Sequence, residues 1–196
     1  MRVLVTRPEP GAARTAERLA LLGHEAIRMP LFEAAVTATV DDLPPVAGIG
    51  GLIATSARAF AMFEGRDISE KGLQTVPVHV VGPATAQAAS EAGFADVRDG
   101  GGTAQALSGM LSDAWKKGLK ETELSGSDDE PPALVYLAGV PRTPVLEATL
   151  AAEKIDHSVV ECYKMSEISY STDILKSDIL SPAPDVILLY SANAAR

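Results

Sequence analysis

One short pattern recurs along this chain and constrains its fold more than any other feature. A hydrophobic segment runs into Thr, Ser, Gly or Pro, and a segment that favours a helix follows at once. The pattern occurs at residues 3–8, 52–57, 80–85, 135–139 and 188–192. Strands that alternate with helices at this spacing predict an α/β fold with a mainly parallel sheet and two covered faces.

The composition predicts a packed protein that does not bind nucleic acid. Of the 196 residues, 46% are hydrophobic and only 5% are aromatic, and the formal net charge is −9. Nucleic-acid binding relies on Lys and Arg to neutralise phosphates and on aromatic rings to stack with bases. An acidic chain with few aromatic rings offers neither of these.

The cysteine and histidine content favours a cytoplasmic protein without a metal. Cys162 is the only cysteine, so no intramolecular disulfide can form. His24, His79 and His157 are scattered singly, without metal-ligand spacing. No apolar run approaches the roughly 18 residues that span a bilayer, and no signal-peptide pattern precedes the first strand. We therefore expect no membrane association.

Local signals place several helices and one loop. A helix is predicted from Ser56 to about residue 64, and another from residue 103 to about residue 117. The polar, acidic segment 119–132 is typical of a surface loop.

The pattern also repeats on a larger scale. Residues 3–25 resemble residues 134–157, and residues 52–58 resemble residues 187–193, with starts about 49 and about 53 residues apart. The next copy in the first half begins about 28 residues later, so its counterpart is expected near residue 215, and about 55 residues would follow Arg196. The sequence thus predicts an incomplete terminal domain, and a natural protein heavier than 20.4 kDa.

In this order and spacing, five segments of the chain resemble the uroporphyrinogen-III synthase family. They are residues 3–8, 51–59, 80–86, 159–164 and 187–191, and the resemblance runs over the whole chain. It implies two flavodoxin-like parallel α/β domains joined by two antiparallel linker strands, near residues 30–34 and 162–165. The terminal domain would comprise residues 1–33 and 164–196, and the inserted domain residues 34–163.

The resemblance implies a cyclising hydro-lyase of tetrapyrrole biosynthesis, the route to haem, sirohaem, cobalamin and chlorophyll. Such enzymes close linear hydroxymethylbilane into uroporphyrinogen III, lose water and invert the last (D) pyrrole ring. They use no metal and no organic cofactor. We expect this small molecule to be the partner of a monomeric enzyme. We also expect a chain that ends at Arg196 to turn it over slowly, if at all.

The candidate binding residues follow from the charge of that substrate. It carries many carboxylates while the protein is acidic, so bulk attraction cannot hold it. Helix N-termini supply unpaired N–H groups and partial positive charge without a cationic side chain. The candidate substrate-binding residues at these turns are Arg7, Ser56, Arg58, Gly82, Thr85, Arg142 and Ser191.

Catalysis requires mainly that the substrate be folded correctly, with one acid near the leaving hydroxyl. Tyr163 matches the tyrosine that the family carries at its second linker, so the resemblance implies that Tyr163 is this catalytic acid. A phenol, with a pKa of about 10, is a weak acid, so its loss should have a modest effect.

Each candidate also fits a purely structural role. The serines fit helix N-caps, Gly82 fits a helix start, and Thr85 fits a side-chain bond to nearby backbone. The arginines fit solvated surface charges, and Tyr163 fits packing between domains. A non-catalytic, two-lobed binder of tetrapyrroles or polyanions is the alternative function. A flavodoxin-like regulatory domain fits less well, because its phosphoacceptor site needs acidic residues at strand ends.

Overall fold

The computed structural model describes residues 1–125, 133–179 and 181–190. The strands are β1 (Arg2–Val5), β2 (Glu25–Arg28), β3 (Phe32–Val36), β4 (Ile49–Ala54), β5 (Val78–Val80), β6 (Val97–Asp99), β7 (Ala133–Val140), β8 (His157–Glu167) and β9 (Val186–Leu188). The α-helices are α1 (Gly11–Leu21), α2 (Pro83–Glu91), α3 (Ala104–Ser125), α4 (Val145–Ala152) and α5 (Thr172–Ile174), which continues as a π-helix over Leu175–Ile179.

The chain divides into two compact units. The first comprises Met1–Ala35 and Met165–Arg196, and the second comprises Val36–Lys164. The chain passes from one unit to the other within β3 and again within β8, which are neighbours in one sheet. The amide of Thr37 donates to the Cys162 carbonyl, and the amide of Ile168 donates to the Leu31 carbonyl. Since these residue numbers run in opposite directions, the two strands are antiparallel.

The first unit contains a three-stranded parallel sheet in the order β2-β1-β9. The central strand β1 contributes the buried residues Val3, Leu4 and Val5, and α1 adds Ala12. β9 is less covered, and 55% of Ile187 remains exposed.

The second unit is built on five parallel strands in the order β8-β7-β4-β5-β6, with β3 added beside β8. Side chains alternate between the two faces, so Leu52 and Val135 pack on one side and Ile53 and Tyr136 on the other. Helix α2 covers the first face, and α3 and α4 cover the second. Burial on both faces explains the nearly continuous apolar runs in these strands.

The two sheets share one arrangement of strands. β1 lies between β2 and β9 just as β7 lies between β8 and β4, and all four pairings are parallel. In chain order, the parallel strands of the second unit read 3-2-1-4-5, which differs from the 2-1-3-4-5 order of flavodoxin-like sheets. The predicted α/β class with parallel sheets is confirmed.

One local prediction was wrong, and another is made more specific by the structure. The helix predicted after Ser56 is present as a 3₁₀-helix over Ala57–Phe63. Three residues per turn place Phe60 and Phe63 on one side, where both pack against Phe94. Helix α3 continues to Ser125 instead of ending near residue 117, because Leu, Lys and Glu in this stretch are strong helix formers. The rest of the predicted loop, residues 126–132, lies outside the described residues.

Within the described part of the chain, no helix is long and apolar enough to cross a membrane.

Stability should fall in mild acid because of His79, which lies in the middle of β5 and is only 4% exposed. Burial, with added repulsion from Arg98 and opposing attraction from Asp96, lowers the pKa of His79 from 6.5 to about 4. The unfolded chain therefore binds one more proton between these values, and folding stability decreases as the pH falls through this window. The total effect is about 3 kcal/mol.

We expect His79→Phe to remove this part of the pH dependence, because the ring keeps its approximate shape and cannot titrate. Urea unfolding of the wild type and the variant between about pH 7 and about pH 4.5 measures this pH dependence of the free energy of unfolding. Equal slopes for the two proteins in that range would contradict the assignment.

Candidate functional site

The carboxyl ends of the parallel strands in the second unit bring the sequence patterns together. Thr55 and Ser56 follow β4, Gly82 follows β5, and Arg142 follows β7. The chain leaves β4 toward β5 in one direction and returns to β7 on the other side, so the strand order reverses between β4 and β7. In open α/β sheets, ligands bind outside the carboxyl ends of the strands at such a reversal.

Tyr163 lies at this edge, on β8, and is half-buried. Its ring covers the backbone of Gly139 on β7, the residue that it pairs with in the register of the two strands. Its phenol forms no hydrogen bond with any residue that the structure describes. Tyr163 is therefore packed as a ring while its hydroxyl is left without a partner.

Tyr136 and Thr55 form a second hydroxyl pair, which was not predicted from the sequence. Tyr136 is 3% exposed, and its Oη lies 3.1 Å from Thr55 Oγ1. Burial raises the pKa of Tyr136, the hydrogen bond with Thr55 opposes the shift, and the nearby Tyr163 adds to it. A tyrosine inside an otherwise apolar strand could have signalled this pair, because a buried phenol needs a hydrogen-bond partner.

Ser56 and Arg58 begin the segment after β4. Ser56 Oγ accepts a hydrogen bond from the Arg58 amide at 3.3 Å and so caps the 3₁₀-helix. Arg58 is half-buried, and its Nε is buried without a hydrogen-bond partner in the described residues. No carboxylate of the described chain neutralises this guanidinium, so it can still bind an anion.

Gly82 and Thr85 occupy the first turn of α2. Gly82 has φ 80°, and its amide donates to Asp99 Oδ1 at 3.0 Å. The amide of Gly101 donates to the same oxygen, also at 3.0 Å. The Gly82 amide is thus already occupied by an internal carboxylate, which was not predicted from the sequence.

Two donors remain at this terminus. Pro83 has no N–H, and the Thr85 amide turns back to the Gly82 carbonyl. The Ala84 amide and the Thr85 hydroxyl have no partner among the described residues. Thr85 is only 5% exposed, so its hydroxyl would have to be reached through the turn itself.

Arg142 is held by two carboxylates. Its Nε and Nη2 donate to Glu147 at 3.0 and 3.1 Å, and its Nη1 donates to Glu161 at 2.8 Å. These bonds raise the pKa of Arg142, and the bond to Arg142 lowers the pKa of Glu147. One positive and two negative groups give the cluster a net charge of −1, so it attracts a substrate carboxylate far less than Arg58 does.

Arg7 belongs to the first unit and lies at the start of α1. Its guanidinium stacks over the Tyr190 ring at 4.6 Å and its Nη1 lies 3.4 Å from Thr15 Oγ1. Its side chain also packs against Gly11. Ser191, the remaining candidate of this unit, lies outside the described residues.

Several helix starts already hold an internal acceptor. Glu9 accepts from the Ala13 amide at 2.9 Å in α1, and Thr103 Oγ1 accepts from the Ala106 amide at 3.1 Å in α3. Asp99 does the same beside α2. A substrate carboxylate would therefore bind to the donors that these groups leave free.

The described residues contain no group of three or more His, Cys, Asp or Glu side chains that could hold a metal ion. Cys162 is buried, and burial raises its pKa to about 12. A thiol that stays protonated at neutral pH is a packing residue rather than a nucleophile.

Together, these features define a mixed α/β protein with parallel sheets and with hydroxyl, amide and guanidinium donors along the carboxyl ends of the strands. The chain belongs to the uroporphyrinogen-III synthase family: the family model described as uroporphyrinogen-III synthase HemD matches residues 13–196. The predicted family is confirmed, and its members are cyclising lyases of tetrapyrrole biosynthesis.

Solved structures agree in fold. The uroporphyrinogen-III synthetase of Helicobacter pylori is similar with a TM-score of 0.61 and 16% identity, over 100% of this chain and 76% of that one. A mutant uroporphyrinogen III synthase of Thermus thermophilus is similar with a TM-score of 0.55 and 16% identity, over 86% of this chain and 64% of that one. The chain thus spans less than two thirds of the second protein. A comparison with curated protein sequences gave no significant match.

The Arg142 cluster should contribute to stability. Arg142→Gln leaves Glu147 half-buried without its ionic partner, so we expect the free energy of unfolding to fall by about 1–2 kcal/mol. Arg58→Gln removes no intramolecular ion pair and should change it by less than about 0.5 kcal/mol. Urea unfolding of both variants measures the difference. Equal stabilities would show that the cluster is too well solvated to matter.

Proposed function

We propose that this chain converts hydroxymethylbilane to uroporphyrinogen III, with loss of water and inversion of the D ring. The family match over residues 13–196 is the observation that carries this proposal. The donors along the strand edge support it, because a substrate with many carboxylates needs several separate hydrogen-bond donors when the net charge of the chain is −9.

In this proposal, Tyr163 acts as the catalytic acid. Its proton goes to the substrate hydroxyl, which leaves as water, and the resulting cation is stabilised by the electron-rich pyrrole. The enzyme then holds the substrate so that the correct ring carbon attacks that cation, and the proton lost when the ring closes restores the Tyr163 phenol. The free phenol and the packed ring of Tyr163 suit a group that must present one proton at a defined place.

We propose different roles for the binding residues, according to whether their donors are free or already bound within the protein. Arg58, the Ala84 amide and the Thr85 hydroxyl would bind substrate carboxylates directly, because Arg58 Nε is unpaired and the other two donors have no partner among the described residues. Ser56 and Gly82 would shape the turns that present them. Arg142 remains a binding candidate, but a substrate carboxylate would have to compete with Glu147 and Glu161 for its guanidinium.

We also propose a terminal parallel α/β domain over residues 1–33 and 164–196 and an inserted one over residues 34–163, with a two-stranded antiparallel linker. The division of the chain at residues 35/36 and 164/165 supports these limits. Arg7 and Ser191 are the substrate-binding candidates of the terminal domain.

We further propose that the protein acts as a monomer in the cytoplasm and needs no cofactor. Its single, buried cysteine supports a reducing compartment. Size-exclusion chromatography with light scattering tests the monomer, and a concentration-independent mass of one chain is expected. The non-catalytic tetrapyrrole binder is the less favoured function, since the family to which the chain belongs is one of lyases.

The function is tested with hydroxymethylbilane that is generated enzymatically in the assay. We expect the purified protein to form isomer III slowly, and chromatography separates this product from isomer I. Isomer I is the product of uncatalysed closure, so its exclusive formation would overturn the proposal. Tetrapyrrole binding without isomer III would instead support the non-catalytic binder.

Tyr163→Phe should lower kcat by about tenfold or less, because a phenol is a weak acid and supplies only part of the rate enhancement. Stability should change by less than about 0.5 kcal/mol, since the phenol makes no hydrogen bond in the described structure. The variant is compared with the wild type in the isomer III assay and by urea unfolding. Complete loss of turnover in a folded variant would assign Tyr163 a larger role.

Arg58→Gln should raise KM by about tenfold with little change in kcat, because one charge-assisted hydrogen bond to a substrate carboxylate is lost. The exposed Arg66, in the same unit, provides the matched control as Arg66→Gln. The same KM for both variants would mean that Arg58 contributes only to the overall charge.

A further inference from the structure

We propose that Gly139 is a positioning residue for Tyr163: the missing side chain at position 139 sets where the phenol lies. The inference extends the proposed function, in which Tyr163 donates the proton. It concerns a residue that touches neither substrate nor leaving group and acts only through the ring that covers it.

The contact between the two residues is the first observation. A Cβ atom built on Gly139 would lie 2.5 Å from Tyr163 Oη and 2.6 Å from Cε2, and closer still to Cζ. Real Cβ atoms essentially never approach other heavy atoms below 3.0 Å. The ring therefore occupies the volume that any side chain at position 139 would fill. Gly139 itself is buried, and the Tyr163 ring lies directly against its backbone.

The strand register is the second observation. Ala138 pairs with Glu161, but the next residue of β7, Gly139, pairs with Tyr163, so β8 carries one extra residue at this point. Such a bulge redirects a side chain and is frequent next to active sites. Bonds hold it on both sides: Arg142 Nη1 binds Glu161 at 2.8 Å, and Thr37 Oγ1 donates to the Glu161 carbonyl at 2.6 Å.

The third observation concerns which atoms would have to move if position 139 carried a side chain. Gly139 has no positive φ, so an alanine there is compatible with the backbone. The obstructing atoms are the far end of a half-buried side chain whose hydroxyl has no partner in the described structure. An added methyl group would therefore displace the phenol rather than unfold the strand. The phenol position is consequently sensitive to the residue at position 139, while the rest of the ring packs against the core.

The test follows the ring directly. The protein is labelled with 3-fluorotyrosine, and the ¹⁹F resonance of Tyr163 is assigned by its loss in Tyr163→Phe. We expect Gly139→Ala to shift this resonance and to leave those of Tyr170 and Tyr190 nearly unchanged, while Tyr136, which lies near Tyr163, is not used as a reference. The matched control is Gly109→Ala, an exposed helical glycine whose Cβ would meet nothing within 4 Å. An unshifted Tyr163 resonance in folded Gly139→Ala protein would overturn the inference.

A double-mutant cycle then links the displacement to turnover. Gly139→Ala should lower kcat about tenfold in the wild type, because small misplacements of a reacting group are costly. In the Tyr163→Ala background, where there is room for the methyl group, it should change kcat by less than about twofold. The same loss in both backgrounds would show that Gly139 does not act through Tyr163.

The two readouts keep the proposals apart. A shifted Tyr163 resonance in a protein that forms no isomer III would retain the positioning role of Gly139 and reject the proposed function. Isomer III formation with an unshifted resonance would retain the proposed function and reject the positioning role of Gly139.

Discussion

The parallel pairing of β4 with β7 joins segments about 80 residues apart in the sequence, from Leu52 with Val135 to Ala54 with Leu137. The centre of the candidate site depends on it. The pairing places Thr55 within hydrogen-bonding distance of Tyr136, and it creates the point at which the strand order reverses. It is stabilised by apolar side chains on both faces, so the polar groups that follow the strands are kept at the edge.

The second constraint is electrostatic. A chain with a net charge of −9 cannot collect a polyanion by long-range attraction, and its helix starts are already partly occupied by Glu9, Asp99 and Thr103. What distinguishes the arginines is whether a carboxylate already holds them. Arg142 has two such partners, while Arg58 has none in the described structure. Binding of a carboxylate-rich substrate would then depend on a few uncompensated donors at defined places, which favours orientation over general attraction.

Much of the fold was predictable because the apolar runs are long and their boundaries are marked by Gly and Pro. The recurring pattern at residues 3–8, 52–57 and 80–85 falls at the ends of β1, β4 and β5. The helix after Ser56 was also predicted, but its 3₁₀ form was not, because that form depends on packing of Phe60 and Phe63 against Phe94, a residue about 30 positions away. The partner of Tyr136 and the contributions of Asp99 and Gly139 could not be predicted, since each depends on which strand lies beside which.

By itself, the sequence determined the alternation of strands and helices, the repeat of that pattern and the resemblance to a family. These follow from local propensity and from periodicity, which neighbouring residues encode. Only the tertiary structure decided which donors stay free. Ser56 and Gly82 look equivalent in sequence, but the serine caps a short helix while the glycine amide is taken by Asp99. The bulge that sets Tyr163 over Gly139 is likewise a property of two paired strands, because a register exists only once both are in place.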